Sequence, residues 1–123
     1  MKVRRLLTLV LTLGLLLALS LPAQAADLTY EVSGGKLYFD AATGTITRAD
    51  ETVTEADIPS EIYGVPVTAI GDYAFNQRKE LTSVTIPSTV TTIGRQAFGA
   101  CSSLEQVTLP DSVTALHNGA FYN

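Results

Sequence analysis

Cys101 and His117 are the only cysteine and the only histidine in the chain. A thiol with a neighbouring imidazole could act as a nucleophile–base pair, provided the two come within hydrogen-bond reach. Their spacing argues against it. Cys101 falls in an apolar column with Ala97, Phe98 and Leu104, whereas His117 stands where a related segment has Gly94. Along a helix that offset is about 10 Å, too far for proton transfer. Cys101 is therefore read as a buried core thiol with no basic residue positioned to lower its pKa, and His117 as a solvent-facing replacement for glycine.

The other chemistry-bearing groups are weaker. Asp50, Glu51, Glu55, Asp57 and Glu61 are dense, but they fit no calcium-loop spacing and read as a solvated acidic face. Gly34-Gly35-Lys36 lacks the spacing and the following Ser/Thr of a phosphate loop. There is no G-x-S-x-G, and a single histidine would have to serve every serine. The expectation is a protein without catalytic residues, metal ligands or cofactor.

Charge and cysteine usage narrow the class. Residues 1–25 read as a signal peptide, with Lys2, Arg4 and Arg5 before the apolar run Leu6 to Leu19 and Ala23-Gln24-Ala25 at the cleavage site. The apolar run is shorter than the ~20 residues a span needs, so no membrane span is expected after signal removal. From Ala26 onward five basic residues face twelve acidic ones, a formal charge of −7. A nucleic-acid partner is excluded because no basic face is available to displace counterions from phosphates. One cysteine cannot build a disulfide framework, and none lies near the cleavage site to carry a lipid.

The elements that must hold these residues repeat. Residues 70 to 121 match themselves on a shift of 23 positions: Ile70, Ile93 and Leu116 share a column, as do Ala74, Ala97 and Ala120, and Phe75, Phe98 and Phe121. A fixed period of this length marks a solenoid, in which one turn cannot bury its apolar face alone. Val84-Thr85-Ile86 and Val107-Thr108-Leu109 alternate as strands and end at Pro87 and Pro110. Gly94 suits a corner with positive φ. Ala97, Phe98, Cys101 and Leu104 have the spacing of a short helix. Residues 49–69 form a degenerate repeat, with extra length around the Tyr63-Gly64-Val65-Pro66 turn signal. Residues 26–48 alternate as three short strands joined by two turns and read as an amino-terminal β-hairpin cap; repeats then occupy 49–123, the last one truncated.

The pattern L-x-x-V-x-I-P-x-x-V-x-x-I-G-x-x-A-F-x-x-C resembles the leucine-rich repeat of the BspA type. Leu81 to Cys101 matches at every named position; Leu104 to Phe121 departs at His117, and Arg78 stands where an earlier repeat would carry its cysteine. The resemblance implies an α/β leucine-rich-repeat solenoid with a right-handed superhelix. It further implies an extracellular or cell-surface location, anchored through a carboxy-terminal region, and a role in adhesion or protein binding. In such a fold the outward strand positions form a concave face, here Glu55, Asp57, Ser83, Thr85, Gln106 and Thr108. That row is polar and has no aromatic anchor of the kind binding hot spots use. The partner is expected to be a protein or surface ligand. A rival reading makes the chain the targeting domain of a larger secreted enzyme with catalysis downstream of Asn123. The open edge of the last repeat is expected to favour edge-to-edge self-association.

Cleavage after Ala25 is directly measurable. Intact mass of protein exported by a bacterial host is expected to give a chain beginning at Ala26; a chain beginning at Met1 would disprove the leader.

Overall fold

The computed structural model describes residues 27–123; the signal peptide expected over 1–25 lies outside the described residues. The chain winds as a solenoid of about three coils with three walls. The first wall is a parallel sheet of β4 (Glu55–Asp57), β8 (Ser83–Thr85) and β10 (Gln106–Thr108). Val84 pairs with Ala56 on one side and Val107 on the other, so equivalent residues of successive coils stand in register. The second wall carries β3 (Thr45–Ala49), β7 (Ala69–Ile70), β9 (Thr92–Ile93) and β11 (Ala115–Leu116), also parallel. The third wall consists of turns over 71–78, 94–101 and 117–123.

The third wall overturns the α/β expectation. No helix occurs among the described residues; the segment read as helical from Ala97, Phe98, Cys101 and Leu104 is a cascade of tight turns. Alternate N–H groups close four-residue turns, Ala74 onto Gly71 and Asn76 onto Tyr73. The groups between them donate to the next coil: Tyr73 to Arg95 (2.9 Å), Phe75 to Ala97 (2.7 Å) and Gln77 to Gly99 (2.8 Å). Gln96, Phe98 and Ala100 repeat the pattern onto Asn118, Ala120 and Tyr122. This alternation needs left-handed backbone at fixed positions. Tyr73, Gln77, Gln96 and Ala100 have φ between 46° and 59°, and Gly119 follows at 65°. Ala97 and Cys101, four residues apart, are both buried in the turn wall, so their spacing resembles that of a helix face.

Spacing explains why the turns win. Phe75 stacks on Phe98 with ring centroids 4.8 Å apart, and Phe98 on Phe121 at 5.1 Å. Those distances match the 4.7–4.9 Å between hydrogen-bonded strands, roughly half the 8–10 Å at which helices pack. A helix in every coil would wedge the coils apart; turns bonded from coil to coil keep all three walls on one spacing.

Packing follows the repeat columns. Leu81, Val84, Ile86, Val90, Ile93, Ala97, Phe98 and Cys101 of the middle coil are all buried. Gly94 is required for contact, not for conformation: its φ is not positive, and a Cβ there would lie 2.5 Å from the Asp72 nitrogen and 2.7 Å from the Gly71 carbonyl carbon. The extra length of the degenerate repeat forms a hairpin, β5 (Glu61–Ile62) with β6 (Val65–Pro66). Its two central residues, Tyr63 and Gly64, have φ of 50° and 83°, as a type I′ turn demands.

At the amino-terminal side, β1 (Leu28–Val32) pairs antiparallel with β2 (Gly35–Asp40), and β2 with β3. Because β3 also pairs in parallel with β7, these strands are continuous with the second wall in one six-stranded sheet. Asp50 fastens them to the first coil by accepting from the Lys36 N–H (3.0 Å) and the Tyr38 hydroxyl (2.9 Å).

The left-handed positions carry a prediction. A non-glycine residue there costs ~1–2 kcal/mol, of which glycine's extra unfolded entropy returns ~0.5–1. Gln77→Gly is expected to raise stability by about 0.5–1 kcal/mol, and Gln77→Val to lower it, in urea melts of the same protein. A stabilising valine would contradict the left-handed assignment.

Candidate functional site

Alternation along the first wall sorts its residues by duty. Ala56 and Val84 point into the core, while Glu55, Asp57, Thr85, Gln106 and Thr108 are exposed and Ser83 is half-buried. Register assembles the six outward residues into two rows across the sheet. Glu55, Ser83 and Gln106 form one, and Asp57, Thr85 and Thr108 the other. The six residues singled out in the sequence thus share one regular face. It is acidic at β4 and neutral toward β10. No helix backs this face among the described residues.

The last coil exposes what its predecessor buries. Val84, Ile86 and Ile93 are 2%, 2% and 0% accessible, whereas their equivalents Val107, Leu109 and Leu116 are 37%, 45% and 55% accessible. No described coil lies against the outer edges of β10 and β11. Tyr63 and Tyr73 are also exposed, on the hairpin turn and the turn wall respectively.

The thiol and the imidazole are kept apart. Cys101 is buried and its Sγ donates to the Phe75 carbonyl at 3.0 Å, while His117 is exposed on the last coil. Burial pushes the thiol pKa up from 9.0; the Arg78 N–H and the Arg78 guanidinium pull it partly back. A basic residue does therefore act on Cys101, contrary to the sequence reading, but desolvation outweighs it. Arg78 occupies the cysteine column one coil earlier, where its Nε donates to the Ala49 carbonyl (2.7 Å) and Nη1 to that of Asn76 (2.9 Å). It is a structural clasp between the first coil and β3, which the sequence registered only as a departure from pattern. Among the described residues no three His, Cys, Asp or Glu side chains are grouped to hold a metal ion.

One feature of the first wall escaped sequence reading. Glu55 and Asp57 border a cleft of about 180 Å³ whose other side is Tyr30, Glu31, Val32 and Ser33. The residues come from segments more than twenty positions apart, brought together by the Ser33–Glu55 bridge and by the Thr54 N–H donating to the Ser33 carbonyl (2.9 Å).

Comparison with known proteins agrees with this architecture. Residues 53–123 match the BspA type leucine rich repeat region, in six copies. A leucine-rich repeat protein from Bacteroides capillosus ATCC 29799 is similar at 35% identity and a TM-score of 0.58, over 73% of this chain and 71% of that one. The leucine rich repeat protein TpLRR of T. pallidum is similar at 28% identity and a TM-score of 0.61, over 78% of this chain and 42% of that one. A leucine rich cell surface protein from Faecalibacterium prausnitzii A2-165 shares 35% identity with a TM-score of 0.57, over 76% of this chain and 27% of that one. The chain thus spans less than half the length of the latter two. No curated protein matches it.

Cys101 is expected to resist an aromatic disulfide reagent in native buffer and to react fast in denaturant. Because its folded pKa is raised, the thiol's contribution to stability is complete below the unfolded value of 9.0 and is lost as pH rises through the folded one. Alkaline melts should show this loss, and Cys101→Ala should remove it. Equal native and denatured labelling rates would place the thiol outside the core.

Proposed function

Since this chain belongs to the BspA-type leucine-rich-repeat family, we propose that it is a secreted, non-catalytic module that binds a protein or surface ligand through the outward face of β4, β8 and β10. The observation that carries this reading is the division of labour on the first wall. Its inward residues build the core, and its outward residues are left as two aligned polar rows with no structural duty. A regular surface of polar side chains suits recognition by many small contacts, with affinity gained by repetition. A similar solved protein is a leucine rich cell surface protein, which supports an extracellular setting, as does the signal-like leader. Adhesion to a cell or matrix surface is the finer form of the same proposal. The exposed ends of Val107, Leu109 and Leu116 beside open strand edges favour self-association of the isolated chain.

Retention of the exported protein on immobilised extracellular matrix proteins and on bacterial cells tests the reading. Thr85→Arg with Thr108→Arg should reduce retention by about tenfold or more, with an unchanged melting temperature, as expected for a disrupted interface centre. Retention that ignores both substitutions would move binding away from this face. Light scattering of the same sample should show species larger than the monomer.

A further inference from the structure

The cleft beside β4 lies between two strand edges. The Thr54 N–H donates to the Ser33 carbonyl (2.9 Å), whereas in the ladder to β8 the Thr54 carbonyl accepts from the Thr82 N–H (2.8 Å) and the Ile58 N–H donates to the Thr85 carbonyl (3.0 Å), which turns that part of the backbone toward β8. The backbone of Glu55 and Asp57 faces the other way. Glu55 meets Ser33 in an isolated antiparallel bridge, but no described strand pairs with β4 beyond it. β1 runs back from Ser33 and is paired only with β2, so the outer edges of β1 and β4 diverge from that bridge. The cleft of about 180 Å³ occupies the fork.

Two properties of the fork select its occupant. Its volume is below the ~300 Å³ at which small-molecule pockets begin, which leaves room for a single long side chain. Three of its six lining residues, Glu31, Glu55 and Asp57, are acidic and none is basic; Lys36 stands across from Glu31 on β2, outside the lining. Tyr30, which alternates with Glu31 along β1, turns its ring to the core side beside Leu37. Grouped carboxylates favour guanidinium, which can donate two parallel hydrogen bonds to one carboxylate.

We propose that an extended peptide segment of a partner protein docks along the free edge of β4 and places one arginine in the fork between β4 and β1. The peptide backbone takes up the outward N–H and carbonyl of Asp57 as strand addition does, and the arginine reads Glu31, Glu55 and Asp57. The proposal rests on the protein-binding reading and gives it a partner chemistry.

A display library of seven-residue peptides with five randomised central positions, selected on the exported protein, tests it. Binders should share arginine at one position. Arginine→citrulline in a selected peptide should weaken binding by about tenfold or more, as should the triple variant Glu31→Gln, Glu55→Gln, Asp57→Asn, whose folding is checked by melting. N-methylation of the peptide bond next to the arginine should weaken binding as well, which a purely electrostatic contact would not show. Thr108→Arg alone, separated from Asp57 by β8, should leave this binding intact. Binders without arginine, or binders indifferent to the triple variant, overturn the fork. If those binders are lost in the Thr108→Arg variant, the outward-face reading survives without it. A library that yields no binders counts against both.

Discussion

Every wall of this molecule is bonded along the stack, from one coil to the next, and that shared spacing governs the rest. Strands of the first two walls, turns of the third and the phenylalanine column all repeat at about 4.8 Å. A coil has few hydrogen bonds of its own beyond its tight turns, so its backbone polar groups are satisfied only when a neighbour is present. Left-handed residues at Tyr73, Gln77, Gln96 and Ala100, and the bare Cα of Gly94, are local concessions to that spacing. The cost of left-handed backbone is accepted because the alternative, a helix, is too thick for the stack.

The same constraint separates core from surface. Positions that meet the next coil are repeated column by column: Ala74 with Ala97 and Ala120, Phe75 with Phe98 and Phe121. Positions that point away from the stack carry no such requirement, so Glu55, Ser83 and Gln106 can differ in charge and size while sharing a row. A surface of this kind can change its chemistry without disturbing the fold. The amino-terminal strands are tied in by polar contacts as well as packing, through Asp50 to Lys36 and Tyr38, and through Arg78 to Ala49.

Much of this was legible in the residues. The apolar columns announced the solenoid and its core, and the two-residue alternation around Val84 and Val107 located the first wall together with its six outward residues. The second wall was harder to see because Ala69–Ile70, Thr92–Ile93 and Ala115–Leu116 are too short to alternate. The third wall was misread because this cascade of turns, like a helix, buries both Ala97 and Cys101, four residues apart. What distinguishes them is where the N–H groups point, and no side-chain pattern encodes that directly. Gly119, aligned with Tyr73 and Gln96, was the one residue type hinting at left-handed backbone. The fork between β1 and β4 depends on long-range contacts of Ser33 with Thr54 and Glu55 and left no trace in local sequence.

The β5–β6 hairpin shows where such a chain is free to change length. A single residue added within a wall would shift every later column against the coil below it. Between the first wall and the second, however, the backbone leaves the stack, closes on itself over Tyr63 and Gly64, and returns with Val67 buried and in register. Ile62 fills the gap that the detour opens. That corner works as an expansion joint. Loops of new length and composition can be grafted there beside the polar rows, so the fold can acquire new surface features one coil at a time while its repeat count and its core stay as they are.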